Sequence, residues 1–410
     1  MQELGTLARH GPRILIVTLA GEGGVPALVD RARSFLAERG WEADLAWYEP
    51  YRQNRSLSVP LWALPFRRPK LATERRADGT LVHRVGVRLP ELEARRHRAG
   101  STWRRAMQGY DVVLAVCGSI LQAGPPADAG RPCLAWVSSP FDADREARRR
   151  RFSRPRRLFD ALLDAPLCRR EERRLLRRVA IVTNSDYTRR QLLEIEPRAR
   201  IEAVLPWSLP PTLDAVPERS ASGPLRLGFA GRLSDPRKNL PLLIDALALL
   251  RSWGVAFRCQ LAGLPPSRSV LDKLGERGLA DSVACLGWVD DAALARFYRD
   301  LDLFVVPSQQ EGLSVVALEA MAAGVPVVST RCGGPEDFVI DGETGLLTGH
   351  DAAAFATAIR RLAEDPALRR RLGQEAARRV RRDYGYAALS ERFWRAFDGV
   401  YGQAAKAAGP

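Results

Sequence analysis

The stretch DLFVVPSQQEGLSVVALEAMAAGVPVVST (302–330) reads as strand, helix and strand in immediate succession. DLFVVPS and VPVVST are nearly continuous apolar runs, and LSVVALEAMAAG between them has the length and composition of a helix. Two buried strands joined through a helix by short connections specify a parallel sheet. Two carboxylates interrupt the apolar pattern: Glu311 in the turn after the first strand, and Glu319 inside the helix. The start of that helix offers unbonded backbone N–H groups and the positive end of the dipole, which suit a phosphate. Gly312 and Ser314 are small enough to let a ligand approach the backbone. Carboxylates on either side of such a phosphate would accept hydrogen bonds from a sugar on one flank and a ribose on the other, and that geometry describes a nucleotide-sugar.

The alternation continues outward from this segment. Upstream lie the strands PLRLGFAG, AFRCQLAG and SVACLGWV, separated by the helical stretches NLPLLIDALALLRSWG, SVLDKLGERG and DDAALARFYRD, and the chain from HDAAAFATAIRRLAEDPALRRRL onward is helical by pattern. This repetition predicts a doubly wound domain over 224–385, followed by a C-terminal helix over 386–410 that packs back toward the N-terminal domain. The segment LPWSLPPTLDAVPERSASGP (205–224) is rich in proline and lacks periodicity, so 207–223 reads as a linker.

The first half, 1–206, alternates as well. RILIVTLA (13–20) runs through the glycine loop GEGG (21–24) into a helix with Val25, Leu28, Val29, Ala32, Phe35 and Leu36 at helical spacing, and Gly40 stands at its C-cap. Strands are expected at ADLAWY (43–48), DVVLAVCGS (111–119), PCLAWVSS (132–139) and VAIVTNS (179–185), with an irregular excursion over 50–100 that holds a small hairpin around LVHRVGVRL. Two doubly wound domains joined by a linker are expected to face each other across a cleft at the carboxyl ends of their strands.

A second polar cluster lies in FAGRLSDPRKNLPLLIDAL (229–247), where Arg232 and Lys238 follow a strand and precede a helix. Two cations there would neutralise a diphosphate and stabilise it as a leaving group. Lys238 is one of four lysines in a chain with 59 arginines, so codon bias does not account for it. The loop GEGG, with Gly23 and Gly24, could bring backbone N–H groups to the same diphosphate.

These motifs resemble the donor domain of the retaining GT-B glycosyltransferases of family 4, the glycosyl transferases group 1. The resemblance rests on GRLxxxxKN as Gly231, Arg232, Leu233, Lys238 and Asn239, on the pair Glu311 and Glu319, and on LEAMAAGVPVV, GGPEDFV and DGETGLL, in that order over 224–385. It implies a GT-B fold of two Rossmann-like domains, with the N-terminal one binding an acceptor and the C-terminal one a nucleoside-diphosphate-sugar. It also implies that Arg232 and Lys238 bind the diphosphate, Glu311 the transferred sugar and Glu319 the ribose. Gly231 and the backbone of Gly312, Leu313 and Ser314 would complete that site, with the base near Leu264, Trp288 and Val289. Transfer with retention, by front-face attack and without metal or other cofactor, is the mechanism the resemblance implies. Many relatives carry a histidine after a middle strand of the first domain, whereas LAWVSSPFDADRE has none; Ser138, Ser139 or Asp142 would stand on the acceptor side instead. A non-catalytic nucleotide-sugar-binding scaffold of the same fold is the alternative.

Composition narrows the remaining classes. With 46% apolar and 27% charged residues among 410, the chain is neither disordered nor fibrous, and it has no apolar run near the ~20 residues that cross a bilayer. Six scattered cysteines without a CxxC pair, and an N-terminus without a secretory pattern, lead us to expect a cytoplasmic protein with reduced thiols. The formal net charge of +15 resides almost wholly in residues 1–206, which carry 38 Lys and Arg against 24 Asp and Glu. That half is expected to meet an anionic partner: an acidic or lipid-linked acceptor, or an anionic membrane touched peripherally. No nucleic-acid-reading motif is present, so nucleic acid is not expected. Asp142-Ala143-Asp144 matches a metal-binding DxD only by chance, and Trp136, Trp207 and Trp288 read first as packing residues.

Overall fold

The structure, a computed structural model, describes residues 11–19, 24–143, 145, 149, 152–206 and 223–407. Gly23, Asp144, the linker residues 207–222 with Trp207, and part of the arginine run 144–157 lie outside them. The chain divides into two units: Met1–Asn184 with Thr188–Leu205 and Ser390–Pro410, and Ser185–Tyr187 with Pro206–Leu389.

In the first unit, strands β1 (Ile14–Thr18), β2 (Ala43–Tyr48), β3 (Leu71–Arg75), β4 (Leu81–Val85), β5 (Val112–Cys117), β6 (Leu134–Val137), β7 (Ala180–Thr183) and β8 (Arg200–Val204) form one sheet in the order β3-β4-β2-β1-β5-β6-β7-β8. Every neighbouring pair is parallel except β3 and β4. The central strands are buried throughout, which is why they read as unbroken apolar runs. Helix α1 (Gly24–Glu38) follows β1 and buries Leu28, Val29, Phe35 and Leu36. Two elements differ from expectation. The hairpin pairs LATER (71–75) with LVHRV (81–85), and its second strand joins the sheet beside β2. RIEAV forms the edge strand β8, whose exposed and half-buried residues left no apolar run to read.

The second unit holds β9 (Leu225–Ala230), β10 (Phe257–Ala262), β11 (Val283–Gly287), β12 (Leu303–Val306), β13 (Val327–Thr330) and β14 (Gly345–Thr348), all parallel, in the order β11-β10-β9-β12-β13-β14. Helices α2 (Leu240–Ser252), α3 (Asp291–Asp300) and α4 (Val315–Ala322) cover the sheet, and α4, almost wholly apolar, buries Leu318 and Met321 completely. Both sheets are thus the doubly wound α/β layers anticipated from the alternating pattern. Each has a switch point, between β1 and β5 in the first unit and between β9 and β12 in the second, where chain direction across the sheet reverses and a crevice opens at the strands' carboxyl ends.

The last helix, α5 (Tyr386–Ala407), counts with the first unit from Ser390 onward. It buries Phe393 and Phe397, and Phe393 lies 5.0 Å from the Phe35 ring. Tyr401 anchors it to the sheet: its hydroxyl accepts from Leu134 N at 2.8 Å and donates to Val113 O at 2.6 Å. Trp394 donates to Glu38 at 2.9 Å, and Arg39 meets Asp398 through two bonds of 2.8 Å. Among the described residues no helix is long and apolar enough to cross a membrane.

Candidate active site

In the second unit, the loops leaving β9 and β12 meet at the switch point. Lys238, in the short turn Pro236–Lys238 after β9, donates from Nζ to Glu311 Oε1 at 2.7 Å, and Ser308 Oγ donates to the same oxygen at 2.6 Å. A backbone bond from Gln309 N to Arg237 O at 2.8 Å ties the two loops together. Two loops distant in sequence therefore place one cation and one carboxylate against each other in a largely buried site, ready to exchange partners with a polar ligand.

Glycines make that approach sterically feasible. Gly231 has φ 151, and its carbonyl oxygen lies where a Cβ on Gly263 would come within 1.8 Å. A Cβ on Gly334 would lie 2.5 Å from Leu313 Cα and 2.6 Å from Gly312 O, so the chain after β13 can pack on the turn that starts α4 only as glycine. Glu311 is held from both sides: its N donates to Cys332 O at 2.7 Å, and its carbonyl accepts from Gly334 N at 2.8 Å.

The N-terminus of α4 carries an unspent polar group. Ser314 adopts the left-handed region at φ 68 and ψ 70, does not cap the helix, and has a buried Oγ without a hydrogen-bond partner. A non-glycine residue held in this conformation, with an orphaned hydroxyl beside free helix N–H groups, marks a place built for something other than stability. Leu313 turns its side chain into the core, so only its backbone faces the loop; Gly312 is half-buried.

Of the other expected donor residues, the structure joins some and separates others. Arg232 is exposed and pairs with Asp235 at 3.0 Å, not with the Lys238–Glu311 cluster. Glu319, half-buried on α4, accepts a hydrogen bond from Tyr298 Oη of α3 at 2.8 Å. Burial pushes its carboxyl up to about 7, the Tyr298 bond pulls against that rise, and the charge of Asp291 adds to it. Tyr298 was not anticipated, because in ARFYRD it scans as one more core aromatic. Trp288, just beyond β11, is 78% exposed with Val289 beside it partly packed on the core, and Leu264 is exposed after β10. These residues offer flat apolar surface at adjacent strand ends.

The first unit contains its own cavity of about 850 Å³ at the β1–β5 switch point, bounded by Leu19, Gly118, Ser119 and Ser139. Ser139 follows β6 with its N bonded to Gly118 O at 2.9 Å. Ser138 has a buried hydroxyl without a partner but does not line the cavity, and Asp142 is an exposed residue paired with Arg169 at 2.6 Å, also outside the lining. Gly24 opens α1. The unanticipated residue here is His97, from the segment the sequence left irregular. It is buried in the cavity wall, with Nδ1 lacking a partner and Nε2 3.4 Å from Gln122 Nε2. Burial, reinforced by Arg96, lowers it to about 4, so it is neutral at physiological pH. Arg52, Arg96 and Arg156 also line the space. Among the described residues no cluster of three or more His, Cys, Asp or Glu could hold a metal ion.

Residues 224–365 match the family described as glycosyl transferases group 1. The D-inositol 3-phosphate glycosyltransferase of Streptomyces avermitilis is 40% identical over 161 residues, which are 37% of this chain and 34% of that protein. The chain thus spans about a third of the length of that curated relative. Sucrose-phosphate synthase from Thermosynechococcus elongatus superposes with a TM-score of 0.69 at 21% identity, over 95% of this chain and 100% of the other. HepE of Anabaena, solved in complex with UDP-glucose, superposes at 0.67 and 18% identity, over 95% and 100%. At those identities the superpositions establish the fold, while the sequence likeness to the family lies in the second unit. Residues 224–365 thus resemble the glycosyl transferases group 1, and the two Rossmann-like units have the α/β architecture of the GT-B proteins on which they superpose.

Proposed function

We propose that this protein is a retaining glycosyltransferase that moves a sugar from a nucleoside-diphosphate-sugar to an acceptor hydroxyl, with the second unit holding the donor and the first the acceptor. The observation that carries the reading is the Lys238–Glu311–Ser308 cluster at the second switch point, beside the orphaned hydroxyl of Ser314 at a helix N-terminus. Lys238 and Arg232 offset the charge of the departing diphosphate, while helix N–H groups and Ser314 bind its oxygens. Glu311 accepts from hydroxyls of the transferred sugar, Glu319 from the ribose, and Trp288 with Val289 covers the base.

The acceptor oxygen attacks the anomeric carbon on the face from which the diphosphate leaves. The bond from that carbon to the phosphate oxygen breaks, the glycosidic bond forms on the same side, and the acceptor's proton passes to the leaving phosphate oxygen. Neither a protein nucleophile nor a metal ion enters this step. The Streptomyces avermitilis relative is a D-inositol 3-phosphate glycosyltransferase, and the arginines of the first cavity suit an acceptor with negative charge. Six unbridged cysteines fit a reducing, cytoplasmic setting.

A panel of UDP-, GDP-, ADP- and TDP-sugars, screened for slow nucleotide release by the wild type, Glu311→Ala and Lys238→Ala, tests the proposal. Release from one donor, lost in both variants, is the expected result. Donor binding with no release, in the presence of phosphorylated and unphosphorylated polyol acceptors, would favour the non-catalytic scaffold instead.

A further inference from the structure

We propose that the first unit docks on an anionic lipid bilayer through the outward face of the helical run 154–167 and the neighbouring turn 61–66. The run consists of a helix over Arg154–Phe159, a π turn over Asp160–Asp164 and a further helix over Ala165–Leu176. Its burial is inverted: Asp160 and Asp164 are completely buried, whereas Leu158 and Leu162 are 61% and 71% exposed, with Leu163 and Leu167 exposed beside them. An ordinary surface helix does the opposite. The carboxylates are inside because they have partners there. Asp160 is bonded to the buried Arg145, and Asp164 accepts from Glu93 N at 2.7 Å and from Arg156 at 2.8 Å. The helix is thus pinned by its polar side and shows its leucines to the surroundings.

A second apolar group stands nearby. Leu61, Trp62 and Phe66 are exposed on the turn after β2, Trp62 at 72% and Phe66 at 85%. Glu91 joins the two groups: its side chain accepts from Leu61 N at 3.1 Å, and its carbonyl accepts from Arg156 at 3.2 Å. Trp62 on one side and Phe152 with Arg156 on the other line the cavity of the first unit. Exposed apolar side chains therefore flank one cavity from two directions, interleaved with the exposed Arg154, Arg157 and Arg170 on the helix and with the exposed Arg68 after the turn.

Charge complementarity chooses the occupant. Apolar chains that reach into the acyl boundary, set among arginines that meet phosphates, match an anionic bilayer. A polyanion such as nucleic acid would engage the arginines but leave the leucines in water. The inference rests on the acceptor reading above only for its consequence, that the acceptor is presented from a lipid surface, and vesicle binding is measured without donor so that the two can fail separately.

The full chain is floated with vesicles of phosphatidylcholine alone or mixed with phosphatidylglycerol, at low and high salt, alongside Leu158→Glu/Leu162→Glu and Trp62→Ala/Phe66→Ala. Binding to the phosphatidylglycerol vesicles is expected, with partition reduced at least about tenfold in each variant because the inserted apolar area is lost. Melting curves of both variants and their affinity for the donor picked out by the panel should match the wild type. Absence of binding to phosphatidylglycerol vesicles at low salt overturns the proposal. So does binding that both variants retain in full, which would mean that arginine attraction alone holds the protein.

Discussion

Substituting Met for Lys238 removes a cation from the centre of the proposed donor site while roughly keeping its volume. The Lys238 and Glu311 side chains are 15% and 10% exposed and 2.7 Å apart. At an effective dielectric of about 20, that separation corresponds to about 6 kcal/mol of attraction, much of it offset by the desolvation of both charges. Removing one partner exposes the difference. Glu311 would keep the Ser308 hydroxyl as a side-chain donor, and the variant should lose about 3 kcal/mol of stability in the second unit. For a unit of this size that corresponds to a melting point lowered by about 6–12 °C. Lys238→Met/Glu311→Gln removes both charges and should recover about 2 kcal/mol of the loss, read as the coupling energy of a double-mutant cycle in urea. Two results would refute the reasoning: a single variant melting within about 1 °C of the wild type, or single effects that add without coupling. Because the pair is also the proposed diphosphate and sugar contact, both single variants should bind the donor picked out by the panel more weakly, and the stabilised double variant should not regain that affinity.

In the proposed donor complex, Glu319 should make nucleotide affinity pH-dependent. With its carboxyl at about 7 in the ligand-free protein, a ribose whose hydroxyls donate to the carboxylate binds the ionised form, so affinity should rise as pH passes from 6 to 8, with proton uptake on release. Tyr298→Phe removes the bond that favours ionisation and should move the midpoint upward; calorimetry in buffers of different ionisation enthalpy reads both effects, and a flat profile would exclude Glu319 from the ribose site. Tyr401→Phe leaves the amide of Leu134 and the carbonyl of Val113 without their hydroxyl partner and should cost about 1–3 kcal/mol in denaturant unfolding of the first unit, with donor affinity unchanged.

The sequence alone determined the doubly wound architecture, since buried parallel strands need unbroken apolar runs and the crossover helices need apolar faces, and both patterns are local. It also made the candidate site segment legible, because Glu311, Gly312, Ser314 and Glu319 belong to one βαβ unit whose local geometry follows from spacing. Lys238 was legible by composition, standing among 59 arginines. Only the tertiary structure decided who partners whom. Lys238 and Glu311 are 73 positions apart and meet because β9 and β12 are neighbours at the switch point, whereas Arg232, on the same loop, turns to Asp235 instead. Tyr298 reaches Glu319 across two helices, and nothing in the spacing of either foretells it. His97 and the inverted leucine helix were illegible for the same reason. A lone histidine in an irregular segment has no pattern, and a helix that buries aspartates does so only because the backbone amide of Glu93, 71 positions from Asp164, and the folded-back Arg145 wait inside. Periodicity records what each element must hide, while the choice of partners depends on strand order, which no local pattern encodes.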